Sequence, residues 1–426
     1  MIFIDKLNAL CASREIERKV IGRIIDNCAL ISFFVLTTLA VWVRFSVKDY
    51  ESGDFIGSLS PWFHYFKTHG GFSALASPVG DYNASYQFFI ALMTYIDINE
   101  LYQFKILSCI FDFVMAVSSG AFVYYITKNN SKPCLFNNVI SSLSFVVPYG
   151  TILLLPTVIL NSAFWAQCDA IYTSFIILSL YFVYKKGYFF SFIFLGCAFA
   201  FKLQTVFILP FFFYLYFREK KFSILFMLFL PIVNVILSLP SLCAGLSFSK
   251  LFEVYINQSE SYEHMYLNYP SFWAFIGDNY LYMKVLAVIL TLTVLFVGLL
   301  YVVKKNVNLE SSENFISIAS WSVWTCVMFL PSMHERYAYL LEILMMILLF
   351  VKFWSTNRKG LGTVIIVTCL LQLISCVQYG SYFFKDSNLD LGITLILHIS
   401  VYLLFSYKLF EKTFNEDKVK KLDLNV

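Results

Sequence analysis

Long apolar runs, mostly of about 16–24 residues, recur from residue 28 to residue 407, and the charged residues are gathered into clumps between them. A run of that length crosses the hydrocarbon core of a bilayer as a helix, since each residue rises 1.5 Å against a thickness of about 30 Å. In lipid, each backbone N–H and C=O must find its partner within the protein, which leaves helices or a closed barrel. The short alternating strands of a barrel are absent. The pattern therefore dictates an all-α polytopic transmembrane bundle. Charge content agrees, at 14% of 426 residues, where a soluble domain carries about a quarter.

The runs predict segments near 28–45, 84–98, 104–127, 138–157, 170–184, 188–201, 205–217, 222–240, 281–303, 315–331, 337–353, 362–378 and 390–407, about 11–13 membrane segments in all. Residues 1–27 then form a cytoplasmic N-terminal segment, 28–408 the transmembrane domain and 409–426 a cytoplasmic tail. The polar interruptions at 46–82 and 241–280 are larger external loops. The first run reads as a helix rather than a cleaved signal, because a long polar stretch precedes it and no small-residue cleavage site follows.

Orientation follows from Lys and Arg in the short loops, which stay in the cytoplasm. Lys6, Arg14, Arg18, Lys19 and Arg23, Lys185 and Lys186, Arg218, Lys220 and Lys221, Lys304 and Lys305, Lys352, Arg358 and Lys359, and the basic tail all fit that side. The segments left outside are 161–169, the turn at 202–204, the 241–280 loop, 332–336 and 379–390. Parity fails once, between residues 46 and 128, and is restored if the short 84–98 segment does not cross.

Several classes drop out. A net charge of +4, with no basic stripe of interleaved aromatics, gives no reason to expect nucleic acid. Ten cysteines without CxxC spacing suggest no metal site. Cys168 and Cys243 lie outside the runs, either as a disulfide or as two independent structural residues. No cofactor is expected, with a divalent metal left open. The partners implied are the lipid bilayer and whatever binds at the external face.

Ionisable groups at helix ends near a membrane are costly and mark function when they persist. Asp54, in Ser52-Gly53-Asp54-Phe55, suits a general base, or simply a solvated carboxylate in an interfacial loop that also holds Trp62. Tyr82, Asn83 and Tyr86 can line a sugar site by stacking and hydrogen bonding, or cap a helix with interfacial tyrosines. Trp165, Gln167, Asp169 and Tyr172 form a third group, with Asp169 and Tyr172 on one helical face. Lys202, followed by Gln204, is a cation on the side where positive charge is sparse; it suits a phosphate, or snorkels at a hairpin. His334, Glu335, Arg336 and Tyr337 are the fourth group: Arg336 fits bidentate phosphate binding, His334 a proton or hydrogen bond to a leaving oxygen, and Glu335 an orienting role. A salt-bridged helix cap is the other reading. His64, His69 and His398 read as structural.

The order of these elements, SGDF, PWF, HGGF, DYNASY, WAQCDAIY, FKLQ and MHERY, resembles the bacterial membrane proteins related to the eukaryotic GPI mannosyltransferase, members of the C-type glycosyltransferase superfamily. The resemblance covers roughly residues 50–340. It implies an inverting transferase that moves a hexose, of mannose or glucose type, from a polyprenyl-phosphate donor to a cell-surface glycan acceptor such as lipopolysaccharide O-antigen. It further implies a bacterial inner membrane location, with the active site on the periplasmic face and Asp54 as the base. The family's tryptophan-glycine-glutamine-x-aspartate stands here as Trp165-Ala166-Gln167-Cys168-Asp169, with Ala for Gly. Its lysine-proline-glutamine stands as Lys202-Leu203-Gln204, and its paired prolines as Ala84-Ser85. The competing classes are a glycan polymerase, which would favour more external arginines, and a flippase. A flippase would predict broken helices with buried charge and repeated halves, neither of which the sequence displays.

Overall fold

A computed structural model describes residues 15–77, 79–130, 137–384 and 391–423. Lys6, Arg14 and the last three residues of the predicted tail lie outside them. The protein is an all-α bundle. Among the described residues five helices are long and apolar enough to cross a bilayer alone, Cys28–Ser46, Glu100–Asn129, Tyr280–Lys304, Leu361–Phe384 and Gly392–Glu411. Among the described residues the only strands are two residues long, Tyr266–Leu267 and Met333–His334, paired in parallel.

Two helices form the centre. Ser312–Phe329 and Tyr339–Trp354 are buried along nearly their whole length, with Trp324, Tyr339 and Leu344 wholly enclosed. Around them stand shorter apolar helices, Asp169–Tyr184, Tyr188–Phe201 and Leu209–Glu219. The helix Tyr280–Lys304 lies at the rim and exposes Leu281, Val285, Leu292 and Phe296, the outward apolar face expected where the solvent is lipid.

The loops sort to two ends. At one end Tyr184 donates to the Glu310 carbonyl (3.1 Å), Lys186 and Lys221 pair with Glu310 (3.5 and 2.6 Å), Arg218 donates to the Asn306 carbonyl (2.9 Å) and Lys352 pairs with Glu313. Three of the predicted basic clusters, and Asn306 next to a fourth, therefore meet at a single end. At the other end the start of Glu100–Asn130 is tied to the end of Cys28–Ser46, where Lys105 Nζ donates to the carbonyls of Lys48 (2.7 Å) and Tyr50 (2.6 Å).

The helix Ala84–Met93 has 10 residues, about 15 Å, half of a bilayer core. Both its flanks stay at this second end. Asn83 meets Ala200 at the close of Tyr188–Phe201, while beyond the helix Tyr95 stacks on Phe72. The chain thus changes ends between 28 and 46, and next between 100 and 130.

Two expectations need correction. The predicted loop 241–280 contains the helix Lys250–Glu260 and the strand Tyr266–Leu267, and the predicted loop 46–82 contains the helix Ser60–Thr68. The run near 138–157 is not one straight helix either. Its continuation is bent by 55° between Ser141–Leu153 and Pro156–Phe164. Pro156 has no N–H to continue the ladder, so carbonyls just before it lose their partners. Arg44 donates from Nη1 to the Leu153 carbonyl (3.0 Å) and from Nε and Nη2 to Asp112 Oδ2 (3.0 and 2.8 Å), which also accepts from Ser162 Oγ (2.5 Å). A buried ion pair between two long helices holds the break.

Candidate active site

The break sets up the site. Beyond Pro156 the chain widens into a π-helical turn, Leu160–Phe164, and another π turn, Phe55–Leu59, follows Asp54 directly. Such turns are rare and recur at functional sites. Ser52 joins the two: its hydroxyl donates to the Trp165 carbonyl (3.0 Å) and accepts from the Phe55 N–H (3.1 Å). Ala166 then adopts a left-handed conformation at φ 67°. This reverses the chain so that Gln167 and Asp169 both turn inward.

Asp54 is one-third exposed. Its Oδ2 accepts from Gln167 Nε2 at 2.6 Å and its Oδ1 from the Tyr382 hydroxyl at 2.8 Å. Gln167 is itself fixed by Tyr82, whose hydroxyl donates to Oε1 at 3.1 Å. Asp169 is fully buried. It takes Lys202 as an ion-pair partner on Oδ1 and Asn161 Nδ2 on Oδ2 (3.0 Å), and Asn161 also reaches the Tyr379 hydroxyl (3.1 Å).

Arg336 is the convergence point. Its guanidinium lies 3.8 Å from Asp54, 3.7 Å from Asp169 and 3.4 Å from Glu335, with the face of Trp165 at 5.1 Å. Among the described residues its Nε has no hydrogen-bond partner, and neither does the buried Nε2 of His334. An unpartnered guanidinium N–H beside an unpartnered imidazole nitrogen is what an anion would satisfy, with the ring in the tautomer that carries its proton on Nε2.

Burial holds the His334 ring down to about 3, helped by the nearby charges of Arg336 and Lys202, so it stays neutral. Burial raises Glu335 from the usual carboxylate range, only partly offset by Arg336. For Arg336, burial works against the charge, but Asp169, Tyr82 and Glu335 outweigh it and keep the cation. His334 is held in place by the short parallel strand pair, and Ser332 donates to the carbonyls of Tyr262 (3.0 Å) and His264 (2.8 Å).

Most of the predicted residues converge on this cluster: Asp54, Tyr82, Trp165, Gln167, Asp169, Lys202, His334, Glu335 and Arg336. Trp62 packs edge-on to Tyr82 at 5.2 Å. A Cβ at Gly80, whose φ is +70°, would fall 2.1 Å from the Trp62 ring, so only glycine allows that approach. Tyr172 lies under Lys202, whose Nζ is 5.6 Å from the ring. Tyr337 stands behind His334 at 5.0 Å.

Three expectations change. Asn83 is not offered to a ligand: its amide donates to the Ala200 carbonyl (3.2 Å) and to the Tyr255 hydroxyl (3.0 Å). Lys202 is committed to Asp169 rather than free for a phosphate. Tyr86 and Gln204 are buried, each with a polar atom that lacks a hydrogen-bond partner, so neither presents itself at the surface of the cluster. Sequence reasoning missed Tyr382, Asn161 and Tyr379. Tyr379 and Tyr382, three residues apart at the end of an apolar run, were the visible signal for one face.

Elsewhere, His398 accepts from Trp324 Nε1 (2.8 Å) and bonds the Pro270 carbonyl (2.8 Å), a packed structural residue as expected. Cys168 and Cys243 are both free thiols. Among the described residues no three His, Cys, Asp or Glu side chains gather as a metal site. The chain matches no protein-family model. No curated protein matches it either.

Proposed function

We propose that this protein is an inverting membrane glycosyltransferase that moves a hexose from a polyprenyl-phosphate donor to a cell-surface glycan, such as lipopolysaccharide O-antigen, on the external face of a bacterial inner membrane. The observation that carries it is the meeting of Asp54 and Arg336. A partly exposed carboxylate and a largely buried guanidinium stand 3.8 Å apart, at the end of the bundle opposite the basic loops.

In this reading the acceptor hydroxyl attacks the anomeric carbon as the bond from that carbon to the phosphate oxygen breaks. Asp54 takes the hydroxyl proton, and the phosphate leaves on its lipid. Arg336 and neutral His334 donate hydrogen bonds to the oxygens that gain charge, where such contacts strengthen most. Lys202 acts through Asp169: by neutralising that carboxylate it leaves Arg336 free to face the phosphate. An apolar groove of about 550 Å³, lined by Ile110, Phe113, Val117, Leu178 and Tyr181, gives a prenyl chain a lane beside the bundle.

A transporter of lipid-linked glycans is the second reading. The bent helix pair and the buried Arg44–Asp112 bridge favour it, two features that the sequence alone does not reveal. Purified protein in detergent, given a synthetic polyprenyl-phosphate hexose and a glycan acceptor, separates the two. The transferase releases polyprenyl phosphate in step with glycan extension. A transporter leaves the donor intact.

A further inference from the structure

Tyr382 belongs to no motif, yet it touches the residue on which the proposed chemistry turns. Its hydroxyl donates to Asp54 Oδ1 at 2.8 Å, while Gln167 holds Oδ2. Its ring stacks on Trp165 with centroids 4.4 Å apart and planes at 28°. Trp165 is wholly buried and also meets Tyr379 and Phe383 edge-on at 5.5 and 4.9 Å. The phenol is therefore not a freely rotating surface group. A packed aromatic floor aims it.

A carboxylate held by one donor can still turn about its Cβ–Cγ bond, sweeping its other oxygen through the site. With a donor on each oxygen the plane of the carboxyl is fixed, and one lone pair on each oxygen remains for a substrate proton. We infer that Tyr382 is a positioning residue, whose hydroxyl locks the Asp54 carboxylate in the orientation that receives the acceptor proton. This rests on the reading of Asp54 as the general base. The ring and the hydroxyl have separate duties: the ring supports Trp165, against which Arg336 rests, and the hydroxyl serves Asp54 alone.

The test is a double-mutant cycle on the full chain in detergent, with a synthetic polyprenyl-phosphate hexose as donor and both substrates varied. Tyr382→Phe keeps the ring and loses the hydroxyl. It should lower kcat by about tenfold, the order of one lost charge-assisted hydrogen bond, with the donor KM and the thermal midpoint unchanged. In the Asp54→Asn background the same substitution should lower the residual kcat by less than about twofold, because a residue acting only through Asp54 has nothing left to position. Equal losses in both backgrounds would mean general structural support and overturn the inference. So would a kcat unchanged by Tyr382→Phe, or a change confined to KM. Failure of the base reading looks different: Asp54→Asn alone would then remain active.

Discussion

Ala166 carries a conflict between side chain and backbone. A left-handed φ of 67° brings Cβ close to the following carbonyl and costs a non-glycine residue about 1–2 kcal/mol. Ala166→Gly should therefore stabilise the protein by up to about 1 kcal/mol, after glycine's greater entropy in the unfolded chain is counted. A thermal unfolding series in detergent reads this directly, and a lower midpoint would show that the Ala methyl packs favourably. Arg336→Lys keeps the charge but loses the planar fork, so turnover should stay well below wild type, with donor kinetics affected before acceptor kinetics. His334 gives a third expectation. Its ring is held at about 3 when folded and titrates near 6.5 when unfolded. The stability it contributes is thus present above about pH 6.5 and declines as pH falls toward 3, because only the unfolded chain takes up the proton. In the pH profile of kcat/KM no ionisation between pH 5 and 8 should belong to His334; a limb in that range that vanishes in His334→Gln would contradict the neutral ring. These residues were legible in the sequence because charge and amide groups at the ends of apolar runs are hard to explain by packing. Their partners were less so. Tyr382 lies 328 positions from Asp54, and nothing local to either residue signals the other.

Among the elements, the Pro156 break decides where the site forms. Arg44 and Asp112 sit inside two different apolar runs, and their pairing is a tertiary fact that periodicity does not encode. Removing one member leaves a buried charge alone, which costs about 3–5 kcal/mol. Asp112→Asn and Arg44→Ala should each lower the thermal midpoint sharply. The joint replacement Arg44→Met with Asp112→Leu should cost less than either alone. If the single variants unfold like wild type, the bridge does not hold the break. The all-α class and the placement of most apolar helices followed from run length. The expected count of about 11–13 membrane segments did not: among the described residues five helices, or six with the bent pair taken as one span, are long and apolar enough to cross. The strand pair between Tyr266–Leu267 and Met333–His334 did not, since two-residue strands have no period to detect. The helix Lys250–Glu260 gives no apolar run because its pattern is mostly polar, which fits the burial of only Leu251 and Tyr255.

Across the whole molecule, the acid–base cluster and the basic loops occupy opposite ends. In the orientation proposed, with the positive loops retained in the cytoplasm, the cluster faces outward. Cysteines introduced singly at Ser58 and Ser261, in a background without native cysteines, should react with an impermeant thiol reagent in outer-permeabilised cells. One at Lys220 should not, and the reverse pattern would invert the orientation. The central claim, that a carboxylate at this outer end takes the proton of an attacking hydroxyl, is tested most directly by Asp54→Asn. The amide keeps the size and hydrogen-bonding reach of the side chain but cannot serve as a base at neutral pH. With the purified protein and a synthetic polyprenyl-phosphate hexose, kcat should fall by about 10²–10⁴ while the thermal midpoint holds; a variant that keeps more than about a tenth of wild-type turnover would contradict the account.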